Sequence, residues 1–314
     1  MAYPCSQTND LDKMTSQTSN LRIGIAFGGG GAKGFAHIHA IKVFDKMGIR
    51  PVEITGASIG SIMGAGMAAG MTGAEIEEHA ITAFGQGAEV LTRLWNMRPR
   101  SFGDVFGKEN RFGQLKGERV LRSFLPAHLP ENFEGLEIPF SAVATNFYDM
   151  SETVMRSGPL FEALAASSAI PGIFQPVNYN GVYHIDAAAT NCLPFDHLSD
   201  DLDITIAIDI AGEPVAAKAD RPPTSIDTVL GANMIMMRQM RELRLRDRQP
   251  DLLIQPPINS FGVQDFLKVK AILQTTEKLE HDLEEALTTL IADKLAGKAQ
   301  EPRLILVQPG TLTG

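Results

Sequence analysis

Two glycine-rich turns lie close together near the start of this chain, and each joins a strand-like run to a helix-like run. LRIGIAF (21–27) is short, apolar and β-branched, and GGGGAKG (28–34) follows at once. PVEIT (51–55) is a second such run, and GASIG (56–60) follows it. After the first turn, apolar residues recur at helical spacing at Phe35, Ile38, Ile41, Phe44 and Met47, and Gly48 stands where a helix ends. After the second, Ser58–Met71 reads as a helix. A β-loop-α-β-turn-α opening predicts a parallel sheet with helices packed on it. Further strands are expected at 138–145, 152–156, 203–210, 251–256 and 303–309. Helices are expected near 111–124, 159–168, 225–247 and 263–296. The strands are spread along the whole chain, so residues 21–314 read as one domain behind a loosely ordered tail, residues 1–20.

The bulk properties narrow the function classes. The formal net charge is −9 over 314 residues, which argues against nucleic acid as a partner. Two cysteines, Cys5 and Cys192, offer neither a disulfide framework nor metal-ligand spacing. No calcium-loop pattern occurs. No metal and no cofactor are therefore expected. The N-terminus lacks an apolar signal core, and the uncharged interval between Glu53 and Glu75 is too rich in small residues to favour lipid. These features predict a cytoplasmic chain, at most peripheral at a membrane.

A serine hydroxyl attacks a carbonyl only when a base takes its proton and donors hold the oxyanion that forms. Ser58 sits between Gly56 and Gly60 on a strand-to-helix turn. Glycines on either side relieve crowding there, and the helix N-terminus behind favours negative charge. The other glycine turn exposes successive backbone N–H groups and can hold an oxyanion or a phosphate. The nucleotide reading fits poorly. Gly34 is followed by Phe35 rather than Lys-Ser/Thr, and Glu53, the nearest acid, falls inside a strand. For the base, His197 or His281 would complete a Ser-Asp-His order. His37 and His39 lie in a helix and read as structural. Asp186, after a strand-like run in YHIDAAATNCLP (183–194), is the better candidate, against the reading of a surface-turn aspartate.

Four blocks in order, GGGGAKGFAHI, GASIG, SSAIPGIFQPV (167–177) and DAAATNCLP, resemble the patatin-like phospholipases of the soluble bacterial type. The resemblance covers about residues 21–210. It implies a three-layer α/β/α sandwich around a mainly parallel sheet, and hydrolysis of acyl esters of lipids by a Ser-Asp dyad without histidine. Carried over by position, Ser58 is the nucleophile and Asp186 its base. The N–H groups of Gly29, Gly30 and Gly31 form the oxyanion hole, and Lys33 takes the place of a supporting basic residue. One position departs from the pattern: Ala187 stands where the family has glycine. If that backbone needs φ > 0, alanine costs roughly 1 kcal/mol and displaces the carboxylate.

Other functions stay open on the residues alone. An acyltransferase or thioesterase of the same fold would use a histidine partner. A non-catalytic acyl-lipid-binding protein would tolerate Ala187. Two segments could meet lipid: 83–112, with the only tryptophan, as a lid, and 233–248, with methionines followed by arginines. The second reads better as a helix with a Met-rich core face and solvated arginines.

Overall fold

The computed structural model describes residues 21–85, 115–213, 225–299 and 301–308. The expected tail, residues 86–112 of the expected lid, and 214–224 lie outside them.

IGIAF buries all five of its residues as strand β1 (Ile23–Phe27). Its odd positions, Ile23, Ile25 and Phe27, enter the larger core, whereas Ala26 joins a second core on the opposite face. Strand β7 (Ile204–Ile208) divides in the same way, with Ile204, Ile206 and Ile208 on one side and Ala207 on the other. Large side chains on one face and small ones on the other give two cores of unequal thickness, and both faces of the central strands β1 and β7 are covered.

The remaining strands are β2 (Glu53–Ala57), β3 (Phe140–Asn146), β4 (Ser151–Met155), β5 (Val177–Tyr179), β6 (Val182–Ile185), β8 (Leu252–Gln255) and β9 (Arg303–Leu306). Among the described residues they form one sheet in the order β5-β6-β3-β2-β1-β7-β8-β9, with β4 also paired to β3. Strands β3, β2, β1, β7, β8 and β9 run parallel. Strands β4, β5 and β6 supply the antiparallel pairs.

Helices α1 (His37–Met47), α2 (Ile59–Ala68), α3 (Gly73–Phe84), α4 (Gly117–Phe124), α5 (Leu160–Ser167), α7 (Val269–Thr276) and α8 (Lys278–Leu295) complete one layer, and nearly all contribute to the larger core. Helix α6 (Ser225–Asp247) closes the other face with Met237, against Cys192, Leu193, Phe195 and Leu198. The molecule is thus a three-layer α/β/α sandwich on a mainly parallel sheet. Among the described residues no helix is long and apolar enough to cross a membrane.

Two expected helices differ in detail. The first begins as a 3-10 segment, Gly31–Ala36, because the glycines turn too tightly for an α-helix until His37. The expected helix 263–296 is interrupted at Glu277 and so becomes α7 and α8. Of the five arginines expected to be solvated in 233–248, Arg238 and Arg246 are exposed, and the other three bond to partners in neighbouring elements. Arg241 is buried and meets Asp209 at 2.5 Å. Arg244 donates to Glu152 and Asp196, and Arg248 donates to the carbonyls of Asp196 and Leu198.

Candidate active site

Strand β3 explains how two residues far apart in sequence meet. On its parallel edge β2 runs alongside until Ala57 faces Val143. Its other edge carries β4 through Asn146. Strand β6 pairs Ile185 with Thr145 and His184 with Asn146. A strand has only two edges, so β6 must occupy the edge that β2 leaves after Val143. The two strands approach head-on along that edge. Ser58 and Asp186, the residues after their ends, both arrive at the level of Ala144.

There Ser58 Oγ donates to Asp186 Oδ2 at 2.7 Å. The serine backbone has φ 52° and ψ −124°, one of three positive-φ non-glycine residues among those described. Such strain persists only where surroundings over-determine it. Here they do. Ser58 N–H donates to Ser167 Oγ at 2.9 Å, and the Ser58 carbonyl accepts from Ser61 N (2.9 Å) and Ser61 Oγ (2.6 Å). Gly60 is required by close approach. A Cβ there would lie 2.2 Å from the Phe27 carbonyl oxygen and 2.5 Å from that of Gly28. Gly56 is confined in the same way by Gly60 O and Ser61, at 2.6 Å. Both obstacles are backbone, so Gly60→Ala is expected to lower stability by about 3 kcal/mol or more, as a urea midpoint would show.

Asp186 is buried, and burial pushes its carboxyl up to about 6. Two donors oppose that rise: Ala188 N–H, on Oδ1 at 2.8 Å, and the Ser58 hydroxyl. Its main chain is fixed as well, because Asp186 N–H donates to Ala169 O (3.0 Å) and Thr145 Oγ1 donates to Asp186 O (2.9 Å). Ala187 is not strained. It lies in the 3-10 turn Ala187–Ala189, outside the positive-φ residues, and packs fully buried against Ala57 and Val143. The displacement anticipated from its Cβ is absent: the carboxylate stays within hydrogen-bond distance of Ser58.

The glycine loop sits directly behind the serine, since a Cβ on Gly29 would lie 3.2 Å from Ser58 Cβ. Its amides are not equivalent. Gly28 N–H donates to Ile208 O, Gly29 N–H to Cys192 O at 2.8 Å, and Ala32 N–H to Val263 O. Within the expected trio, Gly29 N–H is therefore already engaged. Among the described residues the N–H groups of Gly30 and Gly31 donate to no protein acceptor. Gly31 adopts φ 61°, a left-handed turn that aims consecutive amides differently from an extended chain.

No histidine is hydrogen-bonded to Ser58 among the described residues. His197 Nε2 pairs with Glu152 at 2.7 Å, and His281 is exposed on α8. His37 supports the loop from beneath, with Nε2 2.9 Å from the Gly28 carbonyl. Burial pushes it down to about 4. It is thus neutral near pH 7 and donates from Nε2. Lys33 faces away from the dyad. Its Nζ donates to Ala211 O at 2.5 Å, and burial pushes it down to about 8 despite the nearby Asp209. Asp209 in turn accepts from Arg241, Gln255 and the Ala211 N–H. Lys33 therefore ties the glycine loop to the end of β7 and is a structural support.

Glu152, Asp196 and His197 bring three ligand-type atoms within 4.8 Å of one another. Arg244 donates to both carboxylates, so their charge is already balanced by a guanidinium. Burial would raise Glu152, but His197, Asn191 and Arg244 outweigh it and hold it down at about 2.

Ser167 is the residue of the candidate site that sequence reasoning missed. It lies at the head of the block SSAIPGIFQPV, but its role depends on α5 ending beside the turn. Ser167→Ala leaves the Ser58 N–H buried without an acceptor. It is expected to cost about 1–3 kcal/mol of stability and to lower kcat roughly tenfold with little change in KM, as steady-state kinetics on a soluble ester would show.

The patatin-like phospholipase family model matches residues 25–199, more than half of the chain. An uncharacterized NTE family protein of Mycobacterium tuberculosis is 30% identical over 207 residues, 66% of this chain and 54% of that protein. Lysophospholipase NTE1 of Kluyveromyces lactis is 24% identical over 305 residues, covering 87% of this chain and 20% of the fungal one. The chain thus spans about half the length of the mycobacterial relative and a fifth of the fungal one. Among solved structures, human GIVD cytosolic phospholipase A2 aligns over 94% of this chain and 65% of its own, with TM-score 0.47 and 13% identity. The match over residues 25–199, which takes in both glycine turns and the Asp186 block, places this chain in the patatin-like phospholipase family, a family of ester hydrolases.

Proposed function

We propose that this protein is a lipolytic serine acyl-ester hydrolase, of phospholipase A, lysophospholipase or carboxylesterase type, that works through a Ser58–Asp186 dyad. The observation that carries the proposal is the 2.7 Å hydrogen bond from Ser58 Oγ to a buried carboxylate, made from a strained turn. Asp186 takes the Ser58 proton as Oγ attacks the ester carbonyl. The carbonyl oxygen gains the negative charge and rests against the amides of Gly30 and Gly31. Collapse expels the alcohol, which receives the proton from Asp186. Water, deprotonated by the same carboxylate, then attacks the acyl-serine; the fatty acid leaves as Asp186 returns the proton to Ser58 Oγ. A carboxyl near 6 is a better base than an ordinary aspartate yet stays mostly ionised at pH 7. The positive end of α2 adds to the stabilisation of charge on Oγ.

No observation favours a histidine-dependent acyltransferase, because the histidines lie elsewhere. The lysophospholipase name of the fungal relatives makes a single-chain phospholipid the first natural substrate to assay. The test is fluorophosphonate labelling with peptide mapping, together with hydrolysis of p-nitrophenyl esters over a range of acyl lengths. Label on Ser58 with turnover supports the reading. A folded protein that neither labels nor hydrolyses any chain length overturns it in favour of a lipid-binding role.

A further inference from the structure

We infer that the tips of two hairpins beside the dyad form an uncharged docking surface for a lipid aggregate. Residues 147–150 link β3 to β4, and residues 180–181 link β5 to β6. Phe147 N–H donates to Tyr183 O at 3.0 Å and so joins the two tips. Large apolar side chains on them face water: Phe147 is 52% exposed, Tyr148 73% and Met150 84%, with Val182 and Tyr183 exposed beside them. A contiguous group of this kind marks an interaction site more often than scattered single residues do.

Three further observations favour a lipid occupant. First, the patch is held rigid. Asn146 Oδ1 accepts from Tyr148 N–H (3.2 Å) and Asp149 N–H (3.3 Å), while Asn146 Nδ2 donates to Asp149 Oδ2 (2.8 Å). Phe147 and Tyr148 pack edge to face at 5.3 Å. Exposed aromatics fixed in this way lose little freedom when they enter a surface. Second, charge is nearly absent. Asp149 is the one acidic or basic side chain within 146–151 and 178–183, and its carboxylate is turned onto Asn146. Tyrosine and phenylalanine without lysine or arginine suit the headgroup boundary of a neutral membrane. Third, the patch lies at the right end of the sheet. β1, β2 and β3 are parallel, so the glycine loop, the Ser58 turn and the β3–β4 tip all project from the same end. The tip begins three residues past the dyad level, about 10 Å along the strand at ~3.3 Å per residue. An aggregate seated on the tips would present its esters beside the dyad. Among the arginines at 238–248, by contrast, Arg241 and Arg244 are held in internal ion pairs and Arg238 and Arg248 pair with surface carboxylates, which offsets much of their charge toward an anionic surface.

This inference rests on the proposed lipolytic function, and its test separates the two. Flotation with phosphatidylcholine vesicles is expected to carry the wild type with little dependence on salt. The triple variant Phe147→Ser, Tyr148→Ser, Met150→Ser is expected to bind roughly thirty-fold more weakly or worse, because three large apolar groups leave the interface. It should hydrolyse a water-soluble short-chain ester at the wild-type rate, which also shows that it is folded. As an independent readout, the indole fluorescence that Tyr148→Trp adds should be quenched by brominated phosphatidylcholine. Wild-type flotation only with anionic vesicles, unchanged binding by the triple variant, or no added quenching in Tyr148→Trp would each overturn the inference. Vesicle binding without ester hydrolysis would sink the hydrolase and leave the docking surface standing.

Discussion

Asp186→Asn is expected to lower kcat/KM on a soluble ester on the order of 10⁴-fold, the upper end for a general base, because the same carboxylate serves both halves of the cycle. The geometry should survive. Asparagine can turn its oxygen to the Ala188 N–H and its NH₂ to Ser58 Oγ, which reverses only the donor direction of the 2.7 Å contact. The variant should also be more stable than the wild type at alkaline pH. The sign follows from the raised carboxyl. Burial holds Asp186 at about 6, against an ordinary value of 3.8, so the folded state binds this proton more tightly than the unfolded chain does. Below the ordinary value both states are protonated and nothing is lost. As pH rises through the window up to about 6, ionisation progressively destabilises the fold, by about 3 kcal/mol in full. Urea midpoints near pH 4 and near pH 8 measure this: the two proteins should differ little at the first and clearly at the second. The wild-type kcat/KM should fall about tenfold per pH unit below about 6. An aspartate on a solvated turn would produce neither effect.

Ser58→Ala should abolish fluorophosphonate labelling and lower kcat roughly 10⁵-fold. The more informative comparison is with Ser58→Gly, equally inactive. Replacing alanine by glycine ordinarily destabilises by about 0.5–1 kcal/mol through chain entropy. At φ 52° and ψ −124° the Cβ is itself the source of strain, so the order should reverse, with glycine more stable than alanine by about 1 kcal/mol. Thermal or urea unfolding of the pair reads the strain directly. If alanine is the more stable, the turn is relaxed.

The two glycine turns, the strands that feed them and the serine between Gly56 and Gly60 were legible in the sequence, because each is decided within a few residues. What was not legible depends on distant partners. Asp186 could be matched by its motif, yet its contact with Ser58 spans 128 positions and is set by two registers on β3. The engagement of the Gly29 N–H by the carbonyl of Cys192 is announced by no local pattern. The concern over Ala187 assumed a left-handed backbone, and the 3-10 turn removes it. Arg241 and Arg244 of α6 read as solvated because a helical pattern shows spacing and not which carboxylates another element brings beneath it. Ser167 was inside a recognised block, but its hydroxyl matters only because a helix ends there.

The head-on approach of β2 and β6 has a kinetic side. Closing so large a loop is entropically slow, and a slip of one residue in β6 would turn Asp186 to the opposite face of the sheet. A chain that ends before Asp186 lacks the carboxylate, and a misaligned one turns it away from the serine. The hydrogen bond between Ser58 and Asp186 is therefore a reporter of correct register on both strands.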